Sequence, residues 1–102
     1  MTISNIRKAV RASGSHWFDE SSMAFFGTIL KPHVYEGIGG IFFITSEQPP
    51  YGVRCYSVRQ YNPITHNIHT VGDFCVMNEY QAKRLARRMA ANSPKSLCSN
   101  EL

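Results

Sequence analysis

YGVRCYSVRQYNPITHNIHTVGDFCV, Tyr51–Val76, is the stretch whose reading decides the fold. Its two halves, YGVRCYSVRQY and NIHTVGDFCV, are rich in β-branched and aromatic residues and read as strands. Between them stands NPITHN, Asn62–Asn67, in which Pro follows Asn and a second Asn is suited to positive φ. The two strands are therefore expected to form a tight hairpin. Upstream, TILKPHVY from Thr28 and GGIFFITSE up to Glu47 have the same composition, so the strand count rises to four. The GIGG at Gly37–Gly40 reads as the turn between the first two strands, and QPPYG, Gln48–Gly52, as the loop between the second and third. Two successive prolines cannot donate ladder hydrogen bonds.

On either side of this block the period becomes helical. Ile3, Ile6 and Val10 lie at helical spacing ahead of Gly14, a natural left-handed cap. Asp19 is placed to cap one helical turn that presents Phe18, Met23, Phe25 and Phe26 to a core. Toward the C-terminus, Ala82, Leu85, Ala86, Met89 and Ala90 share one helix face, and Asn78 with Gln81 is placed as a capping box. The order is αββββα: an α+β fold with a four-stranded antiparallel sheet flanked by an N-terminal and a C-terminal helix. Trp17, Phe25, Phe43, Val58 and Leu85 are expected in one core. Residues 1–92 read as one domain and 93–102, SPKSLCSNEL, as a flexible tail without period.

The chain has 102 residues, enough for one domain with a modest core, and its 43% hydrophobic and 18% charged residues suit a folded protein. Cys55, Cys75 and Cys98 show no CxxC spacing, so three free thiols in a reducing cytoplasm are expected, with no disulfide framework and no zinc knuckle. No apolar run approaches the roughly 18 residues of a membrane span, and the first residues lack a signal-peptide core. No membrane partner is expected. Composition leaves the oligomeric state open.

Catalytic constellations do not assemble from the pattern. His66 and His69 lie near Asp73, but residues three apart on a strand point to opposite faces and cannot share a metal. Cys75 and Ser46 each lack a local histidine held by an acid. GIGG lacks the GxxxxGK[ST] pattern and leads into a strand. The expectation is a non-enzyme without metal or cofactor.

What remains is charge. At about 100° per residue, Lys83, Arg84, Arg87 and Arg88 fall on one arc of the last helix, opposite the apolar arc. Arg7, Lys8 and Arg11 make a second stripe on the first helix, and Arg54 and Arg59 lie on the third strand. A contiguous basic surface follows if the two helices share a side of the sheet. A solvated helix face that aids solubility is the competing reading. Ser46, Glu47 and Tyr51, at a strand end and in the Pro-rich loop, are further surface-contact candidates. A comparison with double-stranded RNA binding domains is loose, because Asn78, Glu79 and Gln81 occupy the helix start where phosphate would sit. Tyr56, Tyr61, Phe42 and Phe43 are candidate platforms for stacking single-stranded bases, but alternating strands spend such aromatics on the core.

The succession SHWFD (Ser15–Asp19), MAFFGT (Met23–Thr28), FFITSEQ (Phe42–Gln48), RCYSVRQYNPIT (Arg54–Thr65) and TVGDF (Thr70–Phe74), closed by an Ala-rich helix, resembles a family of short proteins encoded in tailed bacteriophages and prophages. The chain departs from that pattern at Asn67, where a glycine is common. The family has no agreed activity and supplies no catalytic residue. The resemblance implies a phage accessory protein in the host cytoplasm that binds a host protein or nucleoprotein, as anti-CRISPR and other anti-defence factors do. Direct nucleic-acid binding through the basic helix face is the alternative.

Overall fold

The computed structural model describes residues 1–19, 28–47, 52–72 and 78–92, the side chains of residues 28–33 excepted. The elements run α1 (Ile3–Ala12), β1 (Thr28–Gly37), β2 (Gly40–Glu47), β3 (Cys55–Tyr61), β4 (Ile68–Val71) and α2 (Glu79–Ala91). The strands form one antiparallel sheet in the order β1-β2-β3-β4, which is the expected α+β architecture.

Local chemistry sets the helix ends. Thr2 and Asn5 form a reciprocal capping box at the start of α1. At its end Gly14, at φ +90°, donates to the Arg11 carbonyl at 3.0 Å while Ser15 donates to that of Val10 at 3.3 Å, a Schellman ending. For α2, Asn78 Oδ1 accepts from the Gln81 amide at 2.8 Å, the N-cap half of the expected box. Asp19 closes a short turn on the His16 carbonyl, and the helical turn expected after it lies outside the described residues.

The two helices cover opposite faces of the sheet. Ile6 and Val10 of α1 pack with Phe18 against Ile41, Phe43 and Tyr61. Ala82, Ala86 and Ala90 of α2 pack against Phe42, Ile44 and Val58. Side chains alternate along a strand, so Phe42 and Phe43 serve different layers, and every residue from Ile41 to Glu47 is buried. Burying each large apolar side chain contributes roughly 1.5–3 kcal/mol. The single core expected for Trp17, Phe43, Val58 and Leu85 is therefore two cores. The register fixes this, pairing Phe43 with Arg59 on one face and Ile44 with Val58 on the other. Phe25, Met23 and Phe26 lie outside the described residues, as does the 93–102 tail.

The β1–β2 turn has a tertiary reason for its glycines. Gly39 donates its amide to the Ala90 carbonyl at 2.9 Å, so the turn caps the C-terminal end of α2. A Cβ at Gly37 or Gly39 would come within 3.0 Å of α2 carbonyl oxygens. At the β3–β4 connection, Asn62 closes the loop by donating to the Asn67 carbonyl at 2.9 Å. The residue at positive φ there is His66, at 62°, and not Asn67 as expected. Asn62 Oδ1 accepts from the Ile64 and Thr65 amides, and that side-chain turn moves the left-handed position one residue earlier.

Candidate functional site

The basic side chains divide, by what they touch, into structural cations and available ones. On α1, the Arg7 guanidinium lies 5.5 Å from the Phe18 ring centroid, and Arg11 Nη2 donates to the Phe18 carbonyl at 3.2 Å. These two arginines fasten the Trp17–Phe18 segment over the helix, leaving Lys8 as the exposed cation of that stripe without such a contact among the described residues. Because α1 and α2 cover opposite faces, the condition for joining their stripes into one contiguous basic surface is not met.

Arg59 is inside the protein. Its side chain is 3% exposed and that of Glu47 8%, with Nη2 to Oε1 at 3.0 Å. Arg59 Nε donates to Thr45 Oγ1 at 2.9 Å and Nη1 to Thr70 Oγ1 at 2.6 Å. Thr45 and Ser57 in turn donate to the Glu47 carboxylate at 2.6 and 3.4 Å. The guanidinium also lies 5.7 Å from the Trp17 ring centroid. Burial pushes the Arg59 pKa below its ordinary value, while the hydrogen bond and charge of Glu47 push it back up. Arg59 therefore contributes nothing to a basic surface.

Two contact candidates are corrected by the same observation. Ser46 and Glu47 are 6% and 7% exposed and do not present to solvent. Glu47 is turned to the α1 face to neutralise Arg59, and Ser46 accepts from Arg54 Nη1 at 2.9 Å. Tyr51 lies outside the described residues. The signal for the pair was a diagonal one: Thr45-x-Glu47 and Ser57-x-Arg59 face each other once Thr45 pairs with Ser57.

On α2 the expected stripe is outward. Lys83 pairs with Glu79 at 3.3 Å, one turn back along the helix. Arg84 lies 5.8 Å from the ring centroid of Tyr80, which is itself 67% exposed. Arg87 and Arg88 are exposed and have no acidic partner among the described residues. Gln81, Arg84, Leu85, Arg87 and Arg88 line an open groove of about 610 Å³. The residues named in this lining offer guanidinium and amide donors and one apolar side chain, with no nucleophile or general base.

Two of the histidines have local partners. His66 Nδ1 and Tyr61 Oη are 2.7 Å apart, and His16 Nδ1 and Asp19 Oδ2 are 2.6 Å apart. Among the described residues, no three of His, Cys, Asp and Glu gather as metal ligands. Asp73 and Cys75 lie outside them. Cys55 is disulfide-bonded, so the expectation of three free thiols is corrected. Among the described residues no helix is long and apolar enough to cross a membrane.

Residues 2–88 match the model of a family of unknown function, DUF7447, and the chain belongs to that family. No curated protein and no solved structure matches the chain.

Proposed function

We propose that this protein is a small non-enzymatic accessory factor that acts by docking the outer face of α2 onto a host protein or nucleoprotein. The observation that carries the reading is the cluster of Arg84, Arg87 and Arg88 around a groove, beside an exposed Tyr80 and without neutralising acids among the described residues. Arg and Tyr are enriched among the side chains that dominate protein interfaces. The phage setting, the host cytoplasm and the anti-defence role rest on the sequence resemblance alone. The disulfide at Cys55 argues for an oxidising setting and stands against the cytoplasmic part of that proposal.

Direct nucleic-acid binding is the second reading, and the same arginines favour it. With Arg59 buried and α1 on the other face, α2 is the one basic helix face left to it among the described residues. A pull-down from host lysate, with and without nuclease, tests both. Capture that survives nuclease and is lost in the Arg84→Gln/Arg87→Gln/Arg88→Gln variant supports the protein-docking reading. Capture abolished by nuclease supports the other.

A further inference from the structure

We infer that the α2 groove takes an acidic protein segment that sets a carboxylate between Arg84 and Arg88 and an apolar side chain against Leu85. The inference rests on the reading of α2 as the contact face. Its first support is charge: Glu79 is occupied by Lys83, so nothing acidic among the described residues meets the three arginines. An anionic occupant completes them. The planar guanidinium fork matches either a carboxylate or a phosphate in two-point contact, so charge alone does not choose between them.

Extent and lining make the choice. Arg84 and Arg88 are one turn apart, about 6 Å along the axis, and among the described residues the basic side chains lining the groove are Arg84, Arg87 and Arg88. Arg7 and Arg11 hold Phe18 on the other face, Arg59 is buried, and Arg54 bonds Ser46. Among the described residues, a nucleic-acid strand seated in the groove would find these three arginines for its phosphates. Leu85 is half-buried on the groove wall and Tyr80 stands exposed beside Arg84. A phosphate has no use for the Leu85 wall, whereas an apolar anchor ringed by charge-assisted contacts is the usual make-up of a protein interface centre. At the helix start, Glu79 and the Asn78 cap place acceptors where a phosphate would otherwise bind.

The test is an NMR titration of the full ¹⁵N-labelled chain with three probes. They are a peptide alternating Glu with Leu and Phe, the same peptide with Leu and Phe replaced by Ser, and a single-stranded oligothymidylate of equal net charge. The first peptide is expected to shift the backbone resonances of residues 84–88 and to bind about tenfold tighter than either other probe. An Arg84→Gln/Arg88→Gln variant of unchanged thermal midpoint is expected to lose at least about tenfold of that affinity. Equal or tighter binding of the oligonucleotide at the same resonances overturns the inference and leaves α2 as a phosphate-binding face. Equal binding of the Ser peptide, or full affinity in the double variant, also overturns it. If none of the probes moves the α2 resonances, the inference and the docking reading beneath it fall together.

Discussion

Arg59 Nη2 and Glu47 Oε1 stand 3.0 Å apart on the α1 face of the sheet, joined across two rows of the β2–β3 register. The Arg59 side chain reaches past the Thr45–Ser57 pair to meet the carboxylate, and the hydroxyls along the way take up its other donors. Removing one partner leaves a buried charge alone. Glu47→Ala or Arg59→Met should each cost about 3–5 kcal/mol in urea denaturation, while Glu47→Leu/Arg59→Met together should recover most of that loss. A double variant as unstable as the sum of the two singles contradicts the pairing.

The opposite-face packing predicts independence. Ile6→Ala in the α1 layer should cost about 2–5 kcal/mol and Ile44→Val in the α2 layer about 0.5–1.5 kcal/mol, because both side chains are fully buried. With the sheet between them, the double variant should equal the sum within about 0.5 kcal/mol. Strong coupling in the denaturation curves would restore the single-core picture.

Gly39 and Gly14 test the docking of α2 on the β1–β2 turn. Gly14 has open space at its Cβ position, so Gly14→Ala should cost about 1 kcal/mol from positive φ alone. At Gly39 the new methyl meets the Met89 and Asn92 carbonyl oxygens, and overpacking of about 1–3 kcal/mol follows, with loss of the Gly39–Ala90 hydrogen bond. Thermal denaturation should rank Gly39→Ala well below Gly14→Ala. Equal midpoints contradict the close approach.

The disulfide at Cys55 sets a thiol count. The chain has three cysteines, so alkylation of the unfolded, unreduced protein should label one, and prior reduction should raise the count to three. Peptide mapping of the unreduced protein then identifies the partner of Cys55. Three labels without reductant would remove the bond and return the reducing-cytoplasm expectation.

How far the chain reads from its letters differs by element. The four strands and both helices were legible because β-branched and aromatic runs, Gly and Pro punctuation and the 3.6-residue period are local signals. The α2 stripe was legible for the same reason, since helix geometry alone assigns Arg84, Arg87 and Arg88 to the outer arc. The division into two faces was written less openly, in the run Ile41-Phe42-Phe43-Ile44, where both parities of one strand are apolar. The fate of Arg59 and Glu47 was not local at all. Each looks like a solvent-facing charge in its own strand, and only the pairing of Thr45 with Ser57 brings them together. His66 likewise took the left-handed position because Asn62 turned the loop around its own side chain, a contact that composition does not encode.

The central claim, that the outer face of α2 is a contact surface and not only a solvated one, is tested most directly by the Arg84→Gln/Arg87→Gln/Arg88→Gln variant. All three side chains are exposed, and glutamine has nearly the helix propensity of arginine, so stability should stay within about 1 kcal/mol of the parent. Binding to the host target captured by the parent protein should be lost while the circular dichroism spectrum and denaturation midpoint persist. A folded triple variant that retains full binding contradicts the account and leaves the arginines as solvated surface.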